Sequence, residues 1–432
     1  MKMRMMLVGA GAVGESILKI LNWRDPKGEF LEFVLITDYD ANRAAEVCGM
    51  MEMAGPKGAQ VKVEDAKERF ASCHADATST EELKKLIDQY QINFVMDAAP
   101  PFASNMIFNA AFESGANYAN MGTWSVPMDD PAYGLGIENS YLEPMTKYNF
   151  DRHEAWKKKG QMAVICLGID PGVVNVYAKY AAVHLLDHLY ETHVKDGGNL
   201  TVPDADPDDI MFGFNVWTVM DEVMNPNVEY DAARGGHFVE PAFAGQETFF
   251  MPDGVGENTL VKVEHEETVT MPRFLSQYGL KKASFKIALD ENLIAALKVL
   301  DKLGLRSLHP VDVNGVKVVP RDVVAACAPQ PKDIGDEMKG EMLVGVHCIG
   351  EKAGQPKEYF LYQPFENESS VRDWGCQAVT MQTGWGAALA IELIARGIWQ
   401  EAGVYSPEYF DPDPFIDLMK ETGYRFEIEE LV

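Results

Sequence analysis

The sequence predicts an α/β fold: a doubly wound parallel sheet at the N-terminus, a second α+β domain, and a C-terminal helix that returns to the first domain. Three observations predict it. A buried strand enters a glycine-rich loop and leaves it as an amphipathic helix over residues 3–24. Strand-like and helix-like segments then alternate to about residue 168, the pattern of stacked strand–helix–strand units. From about residue 191 the chain turns to strands rich in β-branched and aromatic residues. At 432 residues one core is too few, which places two domains, at 1–190 plus 375–432 and at 191–374.

MRMMLV reads as the first strand and Ile17, Leu18, Ile20 and Leu21 as the inner face of the first helix. Between them lie Gly9, Ala10, Gly11, Ala12, Val13 and Gly14. In such a loop the first glycine allows the tight turn, the second admits a pyrophosphate to the backbone N–H groups, and the third lets helix and strand pack closely. The helix N-terminus then offers its positive dipole end to phosphate. This predicts a Rossmann sheet and a dinucleotide. The next strand, FVLITDYD, ends in Asp38, at about the spacing, roughly 20 residues on, where an acid receives the ribose hydroxyls. An acid there favours NAD and disfavours the extra phosphate of NADP; Arg43 leaves NADP open. Asp40 is the second candidate for the ribose and is otherwise a turn acid.

The strand around Phe70 to His74 precedes Asp76, and STEELKKLIDQY reads as a helix capped by Ser79. NFVMDAAPP is a strand closed by two prolines, so Ala98, Ala99 and Pro100 form the loop along which a cofactor's nicotinamide ribose would pass. A helix at SNMIFNAAFESG, a strand at NYANM, a polar insertion over 122–150, a helix at DRHEAWKKKG and a strand at QMAVICLG follow. The last runs into Asp170, Pro171 and Gly172 and then the helix VVNVYAKYAA. Asp is a good N-cap and Pro suits a first helical position, so Asp170 has a capping reading. It also sits on the rim where parallel sheets bind ligands, which makes it the candidate catalytic carboxylate. Asn175 is one turn further on and either reaches the same pocket or caps.

The second domain offers strands at THVKDGG, FGFNVWTV, GGHFVEPAF, NTLVKVEHEETVTM, KASFKIAL, KGEMLVGVHCIG and KEYFLYQPF, with helices at ENLIAALKVLDKLG and PRDVVAAC. Asn215 and Trp217 are candidates for the substrate cleft, Trp217 as a face for an ammonium group. Arg372 is the leading candidate for holding a carboxylate, ahead of Lys281, Lys282, Lys286, Arg234 and Arg273. TGWGAALAIELIARG is a helix rich in small residues, suited to close packing on the first domain.

Composition narrows the partners. A formal charge of −28 repels nucleic acid and anionic membrane surfaces and suits an amine substrate. The short apolar start runs straight into the glycine loop, unlike a signal peptide. Six scattered cysteines without a CxxC pair read as reduced thiols of a cytoplasmic protein, and no metal site is expected.

GAGAVG, LGIDPGVVNVYAKYAA, LDKLGL, NGVKVVPRDVV and TGWGAALAIELIARGIWQEAGVYSPEYFDPDPF together resemble the saccharopine dehydrogenase family over essentially the whole chain. The C-terminal third looks most like carboxynorspermidine dehydrogenases, and lysine 6-dehydrogenases are also similar. The resemblance implies an NAD(P)-dependent oxidoreductase acting at the CH–NH bond of an amino-acid-derived amine, saccharopine-like or carboxynorspermidine-like. It also implies a second domain that binds substrate and forms a homodimer. Oxidative deamination of the lysine 6-dehydrogenase type is the alternative within the class. Outside it stand an NAD-using transferase of the homospermidine type and a non-catalytic NAD-binding sensor, which would need no large second domain.

Overall fold

The protein is described by a computed structural model covering residues 2–203, 205–206, 209–329 and 337–432. Among these residues the first sheet has seven strands, all parallel. Their order is Gly403–Tyr405, Met162–Val164, Asn117–Asn120, Phe94–Asp97, Met3–Val8, Leu31–Asp38 and Phe70–His74. The chain winds outward from Met3–Val8 in one direction and then resumes at Phe94–Asp97 on its other side. The strand order therefore reverses between these two neighbours, and a crevice opens there. Helices cover both faces, as the near-continuous apolar strands require. Ala12–Arg24 and Ala378–Ala395 share one core with Leu7 and Ile36, while Thr80–Tyr90 and Pro101–Ser114 share another with Met6 and Leu35.

The C-terminal helix, Ala378–Ala395, packs along Ala12–Arg24 across more than 350 residues of chain, and its small residues explain how. A Cβ on Gly384 would lie 2.7 Å from the Ser16 Cβ, and one on Gly386 would lie 2.1 Å from the Gly168 carbonyl oxygen. The helix is fixed by Arg24, whose guanidinium grips the fully buried Glu392 carboxylate at 2.7 and 2.9 Å. The chain then adds Gly403–Tyr405 to the first sheet.

The second sheet has nine strands, antiparallel except where His188–Gly198 and Lys282–Ala288 run parallel. Three local expectations are corrected. FGFNVWTV is not a strand but leads into a helix, Val216–Met224, capped by Asn215; its buried Val216, Val219, Met220 and Val223 follow the helical period. NTLVKVEHEETVTM divides into a strand ending at Lys262 and a helix, Glu267–Leu275, with the run 263–266 as the connection. The acidic tail assigned to the first domain instead forms Glu427–Glu430, which pairs with Gln355–Glu366 of the second sheet. Within the insertion, Val126–Pro127 pairs with Tyr141–Glu143, and Tyr141 donates its hydroxyl to the Pro226 carbonyl.

Candidate active site

The reversal of strand order opens into a cleft of about 1170 Å³ whose walls come from both sheets. Its cofactor end is built by the glycine loop. Gly9 has φ +101°, and a Cβ there would fall 2.5 Å from the Ala98 carbonyl oxygen, so the two loops meet as only glycine permits. A Cβ on Gly14 would lie 2.2 Å from the Gly9 carbonyl oxygen, which makes Gly14 a packing glycine away from the cleft. Gly11 is different: a Cβ there meets nothing within 4 Å. With Gly9, Ala12 and Val13 it lines the cleft. Gly11 begins the Ala12–Arg24 helix without a capping side chain, leaving the first N–H groups for an anion.

Asp38 lines the same end. Its Oδ2 accepts from the Ala10 N–H at 2.8 Å and its Oδ1 from the Asp40 N–H at 2.9 Å, which orients the carboxylate beside the loop. Asp40 itself caps the following helix by accepting from Asn42. Arg43 donates to the Ala10 carbonyl, Glu15 and Glu46, so its guanidinium is already engaged. Asp76 lines the cleft, but its carboxylate closes a local turn on the Thr78 N–H and hydroxyl. Ala98, Ala99 and Pro100 line it as well. Below them Asp97 accepts from the Tyr118 hydroxyl and the Ala99 N–H, and burial pushes its carboxyl up to about 6. An open phosphate cradle, free helix N–H groups and an oriented acid fit a dinucleotide.

Asp170 lies in the wall where the two sheets face each other. It is not the cap of the following helix. Gly172, at φ +146°, occupies that position, and its N–H donates to the Asn175 side chain at 2.8 Å. Asp170 lies within a tight turn in which the Gly168 N–H donates to the Pro171 carbonyl, with a cis Asp170–Pro171 bond. Its Oδ2 is buried and has no hydrogen-bond partner among the described residues. Burial, and next the charge of Asp196, hold its carboxyl well above the usual range. A carboxyl raised above its ordinary range, with an oxygen that no described residue bonds, is suited to proton transfer.

Beyond Asp170 the wall is acidic, and this was missed in the sequence. Asp196, Glu222, Glu264, His265 and Glu266 all line the cleft. Asp196 lies in the central strand His188–Gly198, and burial raises it to about 7. Burial likewise raises Glu222 and Glu264 to about 8 each. His265 stacks on Phe285 at 3.7 Å, with Nδ1 held 2.5 Å from a Glu267 oxygen. Burial alone would lower its pKa, but Glu267, Glu222 and Glu266 together raise it well above the ordinary value. His265, Glu266 and Glu267 bring ligand-type atoms within 4.8 Å of one another. Their bonding is internal: Glu267 holds the imidazole, and Glu266 accepts from the Thr123 N–H and hydroxyl. The visible signal was EHEE, four titratable residues running through a segment of otherwise alternating character.

The remaining candidates fare unevenly. Asn215 lines the cleft while serving as a helix cap. Asn175 does not line it; buried, it ties Gly172 to the Thr270 hydroxyl. Trp217 is also outside the lining, its ring covered by the Arg321 guanidinium at 5.0 Å and flanked by Phe102. Arg372 is an exposed surface residue paired with its neighbour Asp373, because it sits on the outer side of a short helix. Lys282 pairs with Glu191, Lys286 with Glu247, and Arg273 covers Phe150.

Comparison with known proteins agrees with this architecture. Residues 5–164 match the saccharopine dehydrogenase NADP binding domain and residues 168–424 the saccharopine dehydrogenase C-terminal domain. A carboxyaminopropylagmatine dehydrogenase of Synechocystis is 24% identical, covering 97% of this chain and 96% of its own. A carboxynorspermidine synthase of Vibrio cholerae is 25% identical over 85% of each chain. Among solved structures, saccharopine dehydrogenase (L-Glu forming) from Saccharomyces cerevisiae superposes with a TM-score of 0.66 at 13% identity, over the full length of both chains. Homospermidine synthase from Legionella pneumophila, in complex with NAD, superposes at 0.67 and 15% identity, over 99% of this chain and 91% of its own. The glycine cradle, the acid-lined cleft and both matched domains lead to one assignment: the chain belongs to the saccharopine dehydrogenase family and is an NAD(P)-dependent oxidoreductase.

Proposed function

We propose that the protein oxidises the CH–NH bond of a carboxylated polyamine or reduces the corresponding C=N bond, with NAD as the preferred cofactor and Asp170 as the group that handles the nitrogen's proton. The observation that carries this reading is the Asp170 Oδ2, buried without a hydrogen-bond partner among the described residues, in the wall of the cleft. The names of the similar proteins, a carboxyaminopropylagmatine dehydrogenase and a carboxynorspermidine synthase, support the substrate class.

The nicotinamide, when bound, supplies or receives the hydride. Gly9, Gly11, Ala12 and Val13 would hold the pyrophosphate and Asp38 the adenosine ribose. In the oxidative direction a C–H bond gives up its hydride, the amine N–H gives up its proton, and a C=N bond forms. Asp170 in its ionised form takes that proton; in its neutral form it returns one to the nitrogen during reduction. The acid wall stabilises the positive charge of the iminium. The reading includes a homodimer formed through the nine-stranded sheet, in the cytoplasm.

Asp170→Asn tests it. The amide keeps size and shape and removes the titratable proton, so turnover falls on the order of a hundredfold or more. NAD affinity stays as it was. Thermal stability changes little, because the amide keeps the size and the uncharged state that burial favours at this position. Undiminished turnover in a folded, NAD-binding variant would remove Asp170 from the chemistry. A transferase reading is favoured only if product forms without net NADH consumption.

A further inference from the structure

We infer that Asp97 is a positioning residue for the cofactor: from behind the cleft wall it holds the 98–100 loop against the glycine loop, and the nicotinamide half of the dinucleotide depends on it while the adenosine half does not. The inference rests on the dinucleotide assignment above and is independent of the role given to Asp170.

Three observations carry it. The first is the contact between the two loops. Asp97 ends the strand Phe94–Asp97 opposite Val8, which ends Met3–Val8. The Ala98 N–H donates to the Val8 carbonyl at 2.8 Å. A Cβ on Gly9 would lie 2.5 Å from the Ala98 carbonyl oxygen and 2.9 Å from the Ala99 nitrogen. Gly9 and the 98–100 loop therefore touch backbone to backbone, and a shift in one displaces the other.

The second is how the loop is held. Asp97 Oδ1 accepts from the Ala99 N–H at 3.0 Å and Oδ2 from the Tyr118 hydroxyl at 2.7 Å. The Ser104 hydroxyl, from the helix Pro101–Ser114 that follows the loop, faces the same carboxyl. One side chain thus ties the loop to the neighbouring strand and to the helix.

The third is placement. Ala98, Ala99 and Pro100 line the cleft and Asp97 does not; it is 2% exposed, and Tyr118 is fully buried. Asp97 therefore acts on a ligand through the loop. A turn alone needs no charge, since an Asn side chain accepts from the same N–H without the cost of burying a carboxylate. What the carboxylate adds is strength, because a hydrogen bond to an ionised acceptor is roughly twice as strong as one to a neutral acceptor.

Among the described residues Tyr118 is the titratable group that faces Asp97. Arg4, on Met3–Val8, turns to the Tyr90 carbonyl and Glu32, and Glu113, on the helix, pairs with Lys84. Burial raises the Asp97 carboxyl to about 6 against the pull of its three donors. Above that pH a carboxylate holds the loop, and below it a neutral acid holds it less firmly.

Calorimetric titration of the full chain with NAD and with AMP, which carries the adenosine half alone, tests the inference. Asp97→Ala should weaken NAD about tenfold and AMP less than about twofold, and Asp97→Asn, which keeps an acceptor for Ala99, should weaken NAD only about threefold. Wild-type affinity for NAD should fall as pH drops through about 6, while affinity for AMP does not. Tyr118→Phe removes a donor to the carboxylate and should move that midpoint upward, and Asp97→Asn should abolish it. NAD and AMP weakened alike in Asp97→Ala would show a general loss of structure and overturn the inference, as would NAD affinity unmoved. If Asp97→Ala does not fold, the pH series decides: a midpoint unmoved in Tyr118→Phe, or retained in Asp97→Asn, overturns it. The readouts are binding constants, so an absence of C–N turnover would remove the proposed reaction without touching this inference.

Discussion

In the proposed reading Asp38 sets the cofactor preference, and its surroundings supply the argument. Its carboxylate is locked by two backbone N–H groups beside the glycine loop, and Arg43, the one nearby cation weighed for a 2′-phosphate, is bound to Glu15, Glu46 and the Ala10 carbonyl. NAD should bind more tightly than NADP, and Asp38→Ala should narrow the gap chiefly by improving NADP, as read from the two dissociation constants. A wild-type preference for NADP would contradict the ribose role. The wall acids make a second prediction, about pH. Glu222 and Glu264 stand near 8 in the folded protein, well above an unfolded glutamate. An acid raised on folding contributes fully below its unfolded pKa and loses that contribution as pH rises toward the folded value. The melting temperature of the ligand-free protein should fall between about pH 4.5 and pH 8, and Glu264→Gln should flatten that slope. A flat wild-type profile would contradict the buried-acid assignment. Residue by residue, the sequence showed Asp38 and the glycines because each meets a local backbone need. It concealed Asp196 and Glu264, whose place in the cleft wall depends on which elements the fold sets beside them. Arg372 misled for the same reason: a lone arginine carries no sign of which way its helix faces.

At the scale of elements, the helix Ala378–Ala395 does most to position the site, since Gly386 lies against the Gly168 carbonyl at the root of the Asp170 turn. By length and a mean hydropathy of 1.2 it would pass for a membrane span, yet 78% of it is buried inside the fold. One buried ion pair joins the two helices, Arg24 with a fully buried Glu392 that Arg396 also holds at 2.9 Å. Removing Arg24 takes away the bidentate partner and leaves Arg396, half of it in solvent, to balance the charge. Arg24→Met should therefore destabilise the protein by about 1–3 kcal/mol, measured by denaturant unfolding. A change within error would show that Arg396, the second cation on Glu392, suffices alone. This element was legible because small residues at close spacing announce tight packing. Val216–Met224 was misread as a strand because FNVWTV is rich in β-branched and aromatic residues, and its helical period appears only when the window is extended through Met224.

The whole molecule sets two halves around one cleft: a seven-stranded parallel sheet whose loops form the glycine-rich end, and a mainly antiparallel nine-stranded sheet whose strand, helix and connection supply the wall acids. The formal charge of −28 counts every carboxyl as ionised, including the nine that line the cleft, of which burial raises Asp196, Glu222 and Glu264 to about 7 or 8. The division of labour was readable in the sequence, because strand–helix alternation and β-rich runs differ in period. The partner sheet for the last strand was not, because EIEE carries no feature that selects one edge over another. The central claim is net hydride transfer to the carbon of a new C–N bond. Its most direct test uses NADH deuterated on the transferred position, together with a diamine and a small amino acid bearing a side-chain aldehyde, which condense to an imine in solution. Mass spectrometry of the secondary amine formed should show one deuterium on the carbon joined to nitrogen, with one NADH consumed per product. Product without deuterium, or product formed with no net loss of NADH, would contradict the account.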